Sequence, residues 1–184
     1  MTTTVVNDLV STWDYIFYRN DNWYAKRLPR LNTKNNSVDS RVETLLKLYW
    51  QDYNTWKTIA NKYWIKVEVA VAIAWADTHL WYALKTKNNI GNVGNNDRWD
   101  TRTPKTLEQW IEAIFQTLNN GYLWNKQTVW DLSFAWSCKI DCSKAYATSP
   151  QHRQNNVLNL LSLIYMKKIN PDFTFRIEKE WEKE

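Results

Sequence analysis

The chain has 184 residues, with 24 Lys and Arg against 19 Asp and Glu, a net charge of +5 and a pI of about 9.1. That length suits one domain with a proper core. The mild basic balance suits a polyanionic partner, but no recognisable nucleic-acid motif accompanies it, and without an apolar run of about eighteen residues no transmembrane helix is expected.

The N-terminus, Met1 to Asp8, lacks the basic start and apolar core of a signal peptide. Residues 1–38 read as a partly irregular arm. Val5 to Tyr18 has apolar residues without a strong period, Tyr24 to Arg30 is a basic stretch, and Asn32 to Ser37 is a polar linker. No strand pattern stands out anywhere in the chain.

A domain is expected over 39–170. Asp39-Ser40 caps a helix from Arg41 to Tyr49, with Val42, Leu45, Leu46 and Tyr49 on one face. A second helix runs from Tyr53 to Tyr63 and stops at Trp64. Val67 opens a run of small and β-branched residues through Ala76, apolar on nearly all sides, as a central helix requires. It delivers one carboxylate, Asp77. A carboxyl at the end of a buried run is a candidate for acid chemistry, although most Asp residues at helix ends are caps or solvated charges.

Lys85 to Pro104 is a long loop rich in Asn and Gly. Such residues tolerate tight turns, and long ordered loops tend to carry function. The loop reads either as a run of successive turns or as a cleft wall, and on the second reading Asn88, Asn89, Asn92, Asn95, Asn96 and Asp97 are candidate substrate-binding residues. Thr106, with Gln109 three residues later, caps the next helix, which Asn119-Asn120-Gly121 ends. Gln127 to Asp131 repeats the cap pattern for a short helix to about Phe134. Ser149-Pro150 opens a last helix with Val157, Leu160, Leu161 and Ile164 on its face, stopped by Asn170-Pro171. Residues 171–184 read as a charged tail. Cys138 and Cys142 have poor spacing for zinc, and a small disulfide and two free thiols both remain open. No metal or cofactor is expected.

Two blocks carry a family resemblance. Asp77-Thr78-His79-Leu80-Trp81, followed by Ala83-Leu84 and Asn88-Asn89-Ile90-Gly91, resembles the motif of the glucosaminidase family of bacterial cell-wall hydrolases, glycoside hydrolase family seventy-three, in the lysozyme-like superfamily. Tyr146-Ala147-Thr148-Ser149-Pro150 resembles that family's Tyr-Ala-Thr-Asp-Pro signature. Together with the helix between them, the blocks cover roughly Trp56 to Ile169. The family's catalytic Glu position holds Asp77, and its motif Gly position holds Trp81. The resemblance implies an all-α, or mainly α, lysozyme-like domain acting on peptidoglycan glycan strands as a monomer in the extracellular space or cell envelope.

The implied chemistry is cleavage of a β-1,4 glycosidic bond, which needs an acid on the leaving oxygen and stabilisation of an oxocarbenium-like transition state. Asp77 takes the acid role, and Tyr146 is the second candidate catalytic residue, orienting the sugar or stabilising charge. Asp97 or Asp100 could act on a water, whereas Glu68 is expected outside the site and His79 at its rim. Without a second carboxylate, a lytic transglycosylase route to an anhydro-sugar, using Asp77 alone, becomes attractive. A catalytically inactive glycan-binding domain is the other alternative.

Composition adds one more reading. The chain has 13 Trp and 3 Gly, whereas average usage of about 7% would give roughly 13 Gly. Trp50 and Trp64 follow apparent helix ends, where Gly is favoured because φ is positive. Trp23, Trp99, Trp124 and Trp136 lie in turn-like surroundings, and Trp181 lies in the charged tail. Many of these positions are expected to be UGA codons decoded as glycine, with Trp56 and Trp75 genuine.

Overall fold

A computed structural model describes the backbone of residues 10–12, 15–19 and 25–29, and residues 37–78, 80, 105–121, 123–134 and 150–178. Over these residues the chain is mainly helical. Three antiparallel strands precede the helices: β1 (Val10–Thr12), β2 (Tyr15–Arg19) and β3 (Ala25–Pro29), in the order β1-β2-β3. Val10 pairs with Phe17, and Tyr15 pairs with Pro29. This corrects the expectation of an N-terminal arm without strands. Tyr15 to Tyr18 is an unbroken β-prone run, and its lack of alternation hides it from a period-two reading. Pro29 sits at the end of an outer strand of this sheet, where the ladder tolerates a missing N–H.

The helical body begins with α1 (Val38–Leu48), three residues before the expected start. Its cap is Ser37, whose side chain accepts from the Ser40 N–H at 3.1 Å. Asp39 instead lies in the first turn, where a carboxylate favours the helix dipole. Arg41 is buried beside Val42, Leu45 and Leu46. Its guanidinium Nε donates to the Ile164 carbonyl near the end of the last helix, satisfying one of the carbonyls a helix terminus leaves open.

The second helix, α2 (Tyr53–Tyr63), has the boundaries its pattern predicts. Asp52 caps it, accepting from Thr55 N and Thr55 Oγ1 at 2.7 and 2.8 Å. These bonds, the hydroxyl's first and the backbone's second, hold the Asp52 carboxyl below its ordinary value.

Next comes α3 (Val67–Thr78), the centre of the body. All its residues are buried except Ala76 and Asp77, which are half-buried. It packs on α1, α2, α4 and most extensively α6. Ala70, Ala72 and Ala74 keep the helix narrow enough for such company on every side.

Thr106 caps α4 (Leu107–Leu118), accepting from Gln109 N at 3.2 Å. The Gln109 side chain reaches back to the Lys105 N–H at 2.8 Å, one residue earlier than a standard capping box. Thr106→Ala should cost about 1 kcal/mol of stability, measured as a shift in the urea midpoint at constant slope; no shift would mean that the cap is idle. Thr128 and Asp131 cap α5 (Val129–Phe134) reciprocally, through Asp131 N to Thr128 Oγ1 at 3.1 Å and Thr128 N to Asp131 Oδ2 at 3.0 Å.

The last helix, α6 (Pro150–Tyr165), opens at Pro150 as expected but stops earlier than Asn170-Pro171. Met166 turns left-handed at φ 54°, and Lys167 N closes back on Ser162 O at 3.1 Å. The helix therefore ends by a Schellman-type turn without glycine.

The expected charged tail is also corrected. Phe175 is fully buried, and Phe173 packs against the core. Residues 171–177 run between the start of α5 and the α2–α3 link. Phe175 N donates to Gln127 O at 2.9 Å, Lys66 N to Phe175 O at 2.8 Å and Ile177 N to Trp64 O at 3.0 Å. Arg176 then closes the turn after α4, donating to the Lys126 and Leu123 carbonyls at 2.8 Å each.

Candidate functional site

Two polar clusters flank α3, one at each end. At the C-terminal end, Asp77 meets Arg153 of α6. Arg153 Nε donates to Asp77 Oδ1 at 2.7 Å, and Nη2 donates to Oδ2 at 2.8 Å. The two side chains are 9% and 17% exposed, so water has little access to the pair. A parallel two-bond fork is the strongest ion-pair geometry that Arg offers. Both Asp77 oxygens are thereby engaged as acceptors. Gln154, the next residue on α6, is buried with its Nε2 unpartnered.

The helix end that carries Asp77 is also held by a second set of contacts. Leu80 is buried with φ 57°. Its carbonyl accepts from Gln51 Nε2 at 2.8 Å, while Gln51 Oε1 accepts from Trp56 Nε1 at 2.8 Å. Gln51, between α1 and α2, thus ties the α2 core to the turn just past Asp77. Thr78 Oγ1 bonds back to Ala74 O at 3.0 Å.

At the N-terminal end, Glu68 is buried and accepts from the Tyr165 hydroxyl. Burial, and then this bond, push the Tyr165 phenol well above its ordinary value. Burial does the same first for Tyr53, followed by interaction with Asp39. Burial lowers Lys66, against the opposing pull of Glu68; its ammonium lies 4.4 Å from the centre of the Phe173 ring. Glu68 cannot be the partner of Asp77. Nine residues of helix separate them, about 13 Å of axial rise, beyond the roughly 5–9.5 Å at which two carboxylates share a glycosidic bond.

Of the residues expected at the site, Asp77 is described. Tyr146, Asn88, Asn89, Asn92, Asn95, Asn96 and Asp97 lie outside the described residues, as do His79, Trp81, Asp100, Cys138 and Cys142. The Asn-rich cleft loop falls there as well. The sequence reading missed Arg153 and Gln51. Arg153 pairs with Asp77 across 76 positions, which no local pattern reports. A shallow groove lined by Thr128, Trp130, Asn170, Pro171 and Asp172 shares no residue with the Asp77 pair. Among the described residues no three His, Cys, Asp or Glu side chains gather to hold a metal ion, and no helix is long and apolar enough to cross a membrane. Comparison with protein-family models, with curated proteins and with solved structures finds no match.

Proposed function

We propose that the chain is a peptidoglycan glycosidase of the lysozyme-like type, an endo-β-N-acetylglucosaminidase or muramidase, with Asp77 as its acid. The observation that carries this reading is the placement of Asp77: a half-buried carboxylate at the end of a helix otherwise sealed in the core, with the Asn-rich stretch following later in the sequence. A rigid central helix is a precise support for a reacting group. The residues around it resemble the glucosaminidase motif. Asp is one carbon–carbon bond shorter than the Glu of that motif, about 1.5 Å, so the sugar must approach closer to the helix end. Protonating a glycosidic oxygen also requires one Asp77 oxygen to face the sugar in place of Arg153. With Glu68 too far away, a single-acid route ending in an anhydro-sugar is the variant of this chemistry that needs the fewest further groups.

A second reading is a domain that binds the same glycan without cutting it. The two-bond Arg153 fork favours it, because that fork occupies both oxygens of the candidate acid.

The test is mass spectrometry of the soluble products after incubating purified peptidoglycan with the chain and with Asp77→Asn. Asn keeps the shape of the side chain and removes its acid chemistry, and circular dichroism checks that the variant is folded. Soluble fragments that vanish with Asp77→Asn are expected, and their mass distinguishes hydrolysis from anhydro-sugar formation, which retains one water less. Sacculi that retain the protein without releasing fragments would replace the first reading with the second. Neither cleavage nor binding would remove both.

A further inference from the structure

Three of the helices end in the same way. After α1, Trp50 N donates to Lys47 O at 3.1 Å and Gln51 N to Leu46 O at 3.0 Å. After α2, Trp64 N donates to Asn61 O at 3.2 Å and Ile65 N to Ala60 O at 3.1 Å. Met166 and Lys167 repeat this pair of bonds after α6. In each case the residue at the turn is left-handed, with φ of 53° at Trp50, 55° at Trp64 and 54° at Met166. This is the Schellman turn, whose pivot is usually glycine because a Cβ there crowds the following carbonyl. A bulky side chain at such a φ is an outlier.

Met166 shows that this chain can make the turn without glycine, so geometry alone does not decide what belongs at the pivots. Exposure and composition do. Trp50 is 92% exposed and Trp64 is 48% exposed. An indole is a large apolar group that is mostly buried in folded proteins, and among the described residues Trp50 has almost nothing to pack on. Trp124 and Trp130 are exposed as well, while Trp56, Trp75 and Trp110 are buried in the core. The seven described Trp residues thus fall into two sets, one buried in the core and one about half exposed or more. Both left-handed Trp positions belong to the exposed set. The whole chain holds 13 Trp against 3 Gly, the imbalance expected if glycine positions are being read as Trp.

We infer that positions 50 and 64 are glycine in the protein as its own cells make it, each encoded by a UGA codon that those cells decode as glycine. Trp56 is genuine: its indole N–H is satisfied by Gln51, and it meets Phe115 edge-on with ring centres 6.2 Å apart. The competing account is that Trp50 and Trp64 are true side chains displayed for stacking on a ligand.

Peptide mass mapping of the protein purified from its source cells, beside the codons of its gene, separates the two. Glycine at 50 and 64, with UGA at both and UGG at 56, is the expected result. Trp at either 50 or 64, or UGG there, overturns the assignment at that position. A recombinant comparison adds an independent readout. Trp50→Gly should raise the melting temperature by about 2–4 °C, since it relieves a strained backbone and uncovers little, and Trp64→Gly should raise it by less, because about half of that indole is covered. A recombinant chain that folds only with both glycines would support the assignment equally. A lower melting temperature for both variants would count against it.

Discussion

Replacing Arg153 by Met should destabilise the chain by about 3 kcal/mol, the low end of what breaking a buried ion pair costs. The reason is what remains behind. Without the guanidinium, Asp77 keeps a carboxylate that is 17% exposed and has lost both fork bonds. Met fills much of the volume of the Arg stem, so the loss reports the charge and the fork rather than a cavity. Asp77→Leu should be costly for the converse reason, since the guanidinium then loses its fork partner. The double variant, Asp77→Leu with Arg153→Met, should recover part of the sum, with a coupling of about 1–3 kcal/mol. Urea unfolding of the four proteins measures this cycle. Additive effects would mean that the fork is incidental to the docking of α6 on α3. Arg153→Lys sharpens the result: Lys keeps the charge but cannot make two parallel bonds, and should recover less than half of the loss.

The elements that the sequence revealed best are those whose signals are local. The boundaries of α2, Tyr53–Tyr63, follow from one apolar face and the stop at Trp64. The central position of α3 follows from apolarity on all sides, and the start of α4 from Thr106 and Gln109. The misses share a different cause. The α1 cap moved to Ser37 because three cap-forming residues, Ser37, Asp39 and Ser40, compete within one turn. The packing of the C-terminal segment, with Phe175 buried, was hidden by its charges, although Phe173, Phe175 and Ile177 alternate with polar residues in the period of an extended strand. At the site, Asp77 was legible because it interrupts an apolar run. Arg153 was not, because on α6 it reads as one more polar residue near a helix start. Its role exists only once α6 lies against α3.

Gln51→Met should be nearly as damaging as loss of the ion pair, at about 3 kcal/mol, or roughly 6–12 °C in melting temperature for a chain of this size. Gln51 is 4% exposed and lies outside any helix. Its amide gives one bond in each direction, accepting from Trp56 Nε1 and donating to Leu80 O, both at 2.8 Å. Met preserves the length and removes both bonds. A buried indole N–H and a buried carbonyl are then orphaned together, at about 1–3 kcal/mol each. Gln51→Glu separates the two ends: a carboxylate can still accept from Trp56 but cannot donate to Leu80, and it adds a buried charge, so it should be at least as damaging as Met. If Gln51→Glu were harmless, the Leu80 bond would be dispensable. The position of this bond gives it a second consequence. Leu80 lies three residues beyond Asp77, and freeing its carbonyl loosens the end of α3 first. Amide hydrogen exchange should therefore quicken at residues 75–78 of Gln51→Met before it does at 67–71. Uniform acceleration along α3 would mean that Gln51 supports the whole fold and not this end of the helix. The amide reaches Leu80 because the turn at residue 50 closes Gln51 N onto Leu46 O, so the backbone geometry at position 50 bears directly on how firmly Asp77 is held.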